Sequence, residues 1–274
     1  MSSRRLGGVV LLLASGLALL GPSAHSATAP VVQLRFGGTA IGQPFVAPAN
    51  QGSDPDIVAS VVTSGDGQAL SVRSRDGQGN AIDFPDVDAS TAGDRAVVKI
   101  VDKDLTDGDA LSPGIASFTL TADFMLDSSS ATDGGNNLVQ RGLAKSSDQY
   151  KIQVDVVNDK LWPACAVGAK IDGQWVSSAV SSPRAVKADE WYQVRCRRTA
   201  HTLTITLFSI ASDGTLTTWS SGRVIGTPNY DLTWPTTGAA PMSIGGKLRP
   251  NGTIETPSDQ FNGVVDNVIF RIDD

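Results

Sequence analysis

Pro241-Met242-Ser243-Ile244-Gly245-Gly246-Lys247 leads, through a polar loop, into Phe261-Asn262-Gly263-Val264-Val265-Asp266-Asn267-Val268-Ile269-Phe270. The second run alternates apolar and polar residues, the period of a strand with one face buried. That period recurs upstream. Phe118, Leu120, Ala122, Phe124 and Leu126 alternate with Ser117, Thr119, Thr121 and Asp123. Tyr150, Ile152, Val154 and Val156 alternate with Gln149, Lys151, Gln153 and Asp155, and Leu203, Ile205 and Leu207 with Thr202, Thr204 and Thr206. No long stretch has helical period. Asp172-Gly173 and Asp213-Gly214 supply the positive φ that tight hairpin turns need. The pattern predicts an all-β chain of two packed antiparallel sheets, a jelly-roll sandwich.

The N-terminal third is looser. Val32 to Phe36, Ile57 to Val62 and Ala96 to Val101 read as strands, separated by Gly- and Asp-rich loops such as Asp76-Gly77-Gln78-Gly79. Neither a Pro-rich linker nor an internal repeat divides the chain. Residues 1–29 read as an export signal: Arg4 and Arg5 precede the apolar run Val9 to Leu20, then Gly21-Pro22 and small residues up to Ala29. A 12-residue apolar run is too short to span a bilayer core of about 30 Å. Ser3-Arg4-Arg5 partly matches a twin-arginine signal, but Gly7-Gly8 follows where that signal favours bulky apolar residues, so general secretion is the expected route. Residues 30–274 are then expected to form a single secreted domain without a membrane span.

Removing Arg4 and Arg5 with the signal leaves 20 basic against 28 acidic residues, a balance unsuited to nucleic acid. Cys165 and Cys196 are an even pair in an exported chain and read as a disulfide, two buried free thiols being the rival reading. The loop closed spans 31 positions, worth roughly 3–4 kcal/mol by chain entropy.

From Ser117 to Ile272 the chain resembles laminin G-like, concanavalin A-like jelly rolls. Asn137 to Gly142 followed by Gln149 to Val154 is similar to the paired central strands of laminin G-like domains. Trp191 to Arg198 is similar to their tryptophan-initiated strand, and Pro241 to Lys247 and Phe261 to Phe270 resemble the closing strands. The N-terminal 90 residues after the signal match in general character alone. In bacterial relatives the cysteine of the tryptophan-initiated strand commonly pairs with one on the strand that here carries Cys165. The resemblance implies recognition of an extracellular glycan or protein, and it admits enzymes and a structural calcium ion.

Enzymatic chemistry finds little support in the residues. Retaining glucanases of the superfamily carry two glutamates on one strand, and their chemistry needs carboxyls about 5–5.5 Å apart. Glu190 and Glu255 are the two glutamates here, 65 positions apart and each in an expected loop. The strand through Asp155 offers one carboxylate and no partner glutamate. Lyases of this architecture use histidine and tyrosine on a sheet face. His201 falls in an expected hairpin turn, where a solvated role is the plainer reading, and Tyr150 should face the core.

Calcium has two candidate places. Asp266 shares strand parity with Val264, Val268 and Phe270, which would carry a carboxylate onto a buried face; backbone amides or a bulge could satisfy it instead. Asp102, Asp104, Asp107 and Asp109 form an acidic run without EF-hand spacing, for which a solvated loop is the plainer reading. Sugar stacking has three candidates, Trp175 and Trp219 beside glycine-bearing turns and Trp234 in an expected loop, each with core or loop packing as its alternative. Trp191 is expected in the core. Asn251-Gly252-Thr253 matches a glycosylation sequon. The expectation is non-catalytic glycan binding, then protein binding or a structural role, then a glycan-degrading enzyme.

Overall fold

The computed structural model describes residues 28–75, 77, 79–87, 93–128, 135–255 and 259–273. Residues 1–27 of the expected export signal, and Asp76 and Gln78 of the Asp76–Gly79 loop, lie outside the described residues. The described residues form fifteen strands and no helix. In chain order these are β1 (Val32–Leu34), β2 (Ile57–Ser64), β3 (Leu70–Arg73), β4 (Asn80–Phe84) and β5 (Arg95–Asp102). Next come β6 (Ser117–Leu126), β7 (Asn136–Arg141), β8 (Gln149–Val157), β9 (Lys160–Ile171) and β10 (Gln174–Ser181). The last are β11 (Tyr192–Thr199), β12 (Thr202–Ile210), β13 (Leu216–Ile225), β14 (Met242–Ile244) and β15 (Gly263–Asp273). No described helix is long and apolar enough to cross a membrane.

The strands make two antiparallel sheets. One runs β13-β12-β11-β6-β15-β4-β3, with β1 added along β15; the other runs β10-β9-β8-β7-β14-β5-β2. The expected alternation appears directly in burial: Phe118, Leu120, Ala122 and Phe124 of β6 meet Tyr150, Ile152 and Val154 of β8 in one core. Aromatic contacts mark its centre. Tyr150 stacks on Phe270 with centroids 5.2 Å apart, and Trp234 meets Tyr150 edge-on at 5.6 Å. Cys165 of β9 and Cys196 of β11 are disulfide-bonded, Cα atoms 5.9 Å apart, and so tie one sheet to the other. Asp172 (φ 50°) and Gly173 (φ 79°) turn β9 into β10, as that dipeptide predicts.

β15 departs from the expected parity. Its register on β6 shifts between Asp266 and Ile269, at a bulge where Asn267 takes φ 48°. Val265, Val268 and Phe270 therefore face the core, while Asp266 pairs beside Asp123 on the outer face of the sheet. Strict period two would place Asp266 with Val268 and Phe270; the extra bulge residue removes it from their face.

Candidate functional site

The tryptophans scatter. Trp175 belongs to the outer face of the seven-stranded sheet. Its ring lies over Gly168 so closely that a Cβ there would come within 2.5 Å of Cζ2. Trp234 stands in the β13–β14 connection, yet it is 5 % exposed, with the Arg141 guanidinium 4.4 Å from its ring centroid. The expected loop position does not expose it, because the connection folds back against Tyr150. Trp191 is half-buried just ahead of β11 rather than in the core.

Trp219 finds a partner that the sequence reading did not single out. Trp162, on β9, lines with it a cleft of about 780 Å³ where the β8–β9 hairpin, the β10–β11 connection and edge strand β13 meet. That volume lies within the range of about 300–1,000 Å³ typical of ligand sites. Asn158 (φ 51°) and Asp159 (φ 58°) make the hairpin turn, which brings Leu161 and Trp162 back beside Val156 and Asp155. Pro163 follows Trp162 and stands just beyond Ala164, the last β9 residue paired with β10. Ser182 N still donates to the Pro163 carbonyl at 2.8 Å; the chain then bends away from β9 and returns at Val186, whose amide donates to the Leu161 carbonyl at 2.8 Å. The intervening bend carries Arg184 over Trp219, its guanidinium carbon 5.2 Å from the ring centroid. Tyr192 meets Trp219 edge-on at 6.1 Å and backs it from the core. Two half-buried tryptophans, the apolar Leu161 and Val186, and several charged residues line the cleft, the makeup of a small polar-ligand site.

Asp127 lines the same cleft at the end of β6. Burial raises its carboxyl above the ordinary range, and the neighbouring charges of Asp86 and Asp189 push it further. Lys187 is engaged by Glu190 at 2.9 Å.

The acidic run builds a second cleft of about 600 Å³, lined by Asp102, Asp104, Asp107 and Asp109, by Asp54 and Asp56, and by Trp234. It lies toward the other end of β8, near Arg141, which pairs with Tyr150 in the ladder and with Asp109 through its side chain. The carboxylates largely turn to backbone amides. Asp102 accepts from Asp104 N at 3.1 Å and Ala110 N at 2.9 Å, and Asp109 from Leu111 N at 2.9 Å. Hydrogen bonds from Thr106 hold Asp104 below the usual carboxylate range. Asp266 is engaged too: Oδ1 accepts from Asn267 N at 2.7 Å, and Oδ2 from Arg75 Nη1 at 2.8 Å and from the Ser74 hydroxyl. Among the described residues no three Asp, Glu, His or Cys side chains are placed to hold a metal ion, and a guanidinium already sits where calcium would meet Asp266. As they stand, these donor sets do not fit calcium.

Both glutamates lie in connections. Glu190 accepts from Tyr192 Oη at 2.7 Å, which with Lys187 holds it below the usual range, and Glu255 pairs with Arg249. His201 is an exposed turn residue whose Nδ1 lies 3.1 Å from the Thr227 carbonyl, and Tyr150 is fully buried, its hydroxyl donating to the Leu111 carbonyl. Asn251 is exposed, and its side-chain oxygen accepts from Thr253 N and Oγ1.

No protein-family profile matches the chain, and no curated protein matches it. Solved structures do. The enzymatically active domain of bacteriophage CBA120 tailspike protein 2 superposes with a TM-score of 0.50 at 13 % identity, over 87 % of this chain and 30 % of that one. Domain 4 of AbnA, an extracellular arabinanase from Geobacillus stearothermophilus in complex with arabinotriose, gives 0.48 at 10 % identity over 90 % and 94 %. The botulinum neurotoxin serotype C1 binding domain gives 0.49 at 11 % identity over 88 % and 48 %. The chain thus spans under a third of the tailspike's length. At such identities the likeness carries the β-sandwich fold and nothing finer.

Proposed function

We propose that this protein is an exported, non-catalytic carbohydrate-recognition module of laminin G-like character, and that it holds its glycan in the Trp162–Trp219 cleft. The observation that carries the reading is one open cleft lined by a half-buried tryptophan from each sheet, Trp162 and Trp219. Sugar rings present apolar C–H faces and a rim of hydroxyls; indoles take the first, and rim groups such as Asp127 and Lys160 take the second. The Arg4-Arg5 and Val9–Leu20 signature supports export, and glutamates held singly by cations in separate loops support recognition without catalysis. The acidic balance, formally −6 for the whole chain, argues against nucleic acid as partner.

A glycan array probed with the protein, in calcium and in chelator, tests the proposal. Binding to one glycan class is expected, equal in both conditions. Trp162→Ala and Trp219→Ala should each weaken it at least about tenfold, and Trp175→Ala should leave it unchanged. Binding lost with Trp175→Ala alone would move the site to the sheet face. Silence in both conditions would replace the glycan with a protein partner or a structural role.

A further inference from the structure

The charges around the cleft, on the glycan reading above, narrow the ligand further: we propose that it selects sugars bearing a carboxylate, and that Arg184 is the residue that reads it. Arg184 is exposed and has no acidic partner among the described residues. Its backbone is nonetheless fixed. The Ser182 hydroxyl accepts from Arg184 N at 3.2 Å and donates to Arg184 O at 2.8 Å, and it lies 2.7 Å from the Ser220 hydroxyl on β13. The guanidinium is therefore presented over Trp219 by a braced bend, and among the described residues none of its five donors is taken by a side-chain or backbone acceptor.

The remaining charges divide the cleft into two poles. Lys187 is neutralised by Glu190, and Lys160 and Asp159 sit at the exposed hairpin tip, where opposite charges offset each other and solvent screens both. Asp127 stands on the β6 side, with Asp86 and Asp189 as its acidic neighbours. A uronic-acid type sugar matches this division. Its carboxylate suits the planar fork of Arg184, its ring hydroxyls can donate to Asp127, and its C–H face can pack on an indole. A neutral hexose must displace the guanidinium from Trp219 and offers no charge in return.

The test is a set of matched oligosaccharides, glucuronate-, galacturonate- and sialate-bearing, each paired with its carboxyl-reduced form and titrated calorimetrically against the full protein. At least one acidic member should bind about tenfold tighter than its reduced partner, with a preference that shrinks in high salt. Arg184→Ala and Arg184→Gln should abolish the preference, and Arg184→Lys should keep part of it, with melting temperatures confirming that each variant is folded. Neutral members binding as tightly as acidic ones, with Trp219→Ala still abolishing binding, would overturn the role of Arg184 and leave the glycan reading standing. A preference that survives Arg184→Ala would also overturn it. Failure of every member, acidic and neutral, would overturn both.

Discussion

Asp83 shows at the residue scale how this acidic protein loses stability where carboxylates crowd. It lies on β4 between Leu70 and Val264, half-buried. Burial, then Asp127 and Asp86, raise its carboxyl to about 6. A folded-state value above the unfolded one means that the native state binds the proton more tightly. Stability from this group is therefore full below about pH 4 and is lost as pH rises through about 6. Asp83→Asn should stabilise the protein at pH 7.5 by on the order of 1 kcal/mol once solvent screening is allowed for, a rise of about 2–4 °C in Tm. At pH 3.5 the two proteins should melt together. Scanning calorimetry at both values decides it, and an equal shift at both would mean that charge is not the cause. The same scale explains why Trp162 escaped notice. Trp219 was legible beside its glycine turn, but Lys160-Leu161-Trp162-Pro163 reads as an interrupted strand until the Asn158-Asp159 turn folds it back against β8. That dipeptide was the available signal.

At the scale of elements, strands with clean alternation were legible almost to their ends: β6, β8 and β12 lie where the apolar residues recur, and β2 and β5 extend a little beyond the expected limits. β3 and β4 were not, because four or five residues with polar neighbours carry too little period to read. The bulge in β15 was illegible for a different reason. Nothing in Val265-Asp266-Asn267-Val268 distinguishes an inserted residue from a continuing strand, and the difference decides which face receives a carboxylate. The structure settles that Asp266 and Asp123 become neighbours across β15 and β6, with Arg75 Nη1 lying 2.8 Å from one and 3.0 Å from the other. Gln193 Nε2 donates to Asp123 at 2.7 Å and Asn267 Nδ2 at 3.3 Å, completing the cluster. Arg75 thus fastens the β3–β4 connection to two strands of the sheet. Arg75→Met would leave two buried carboxylates facing each other, a loss of about 3–5 kcal/mol at pH 7.5. Burial already raises the Asp123 carboxyl to about 6 against the lowering by Arg75. Without the cation Asp123 titrates higher still in the folded state, and the variant regains stability as pH falls and it takes up a proton. Urea unfolding at pH 7.5 and 4.5 should show the deficit narrowing; a deficit independent of pH would mean that Arg75 acts by packing alone.

The whole molecule is two sheets whose contact is a shared apolar core, and the Cys165–Cys196 bond is the covalent link between them. Its two strands take part in different neighbourhoods. β9 carries Trp162 and the hairpin wall of the cleft, and β11 is separated from Trp219 on β13 by β12 alone. The bond therefore fixes the distance between the sheets near the place where they jointly form the proposed site. Closing 31 positions of chain restricts the unfolded state by roughly 3–4 kcal/mol. At about 2–4 °C per kcal/mol for a chain of this size, Cys165→Ala/Cys196→Ala should lower Tm by about 6–16 °C. Its fold should persist, because the aromatic core around Tyr150, Phe118 and Phe270 lies outside the bridge. Affinity for the proposed glycan, measured well below the lowered Tm, separates two roles. Unchanged affinity would make the bond a restraint on the unfolded chain alone. A loss of affinity in a protein with native circular dichroism would mean that the bond also holds the two walls of the cleft in register.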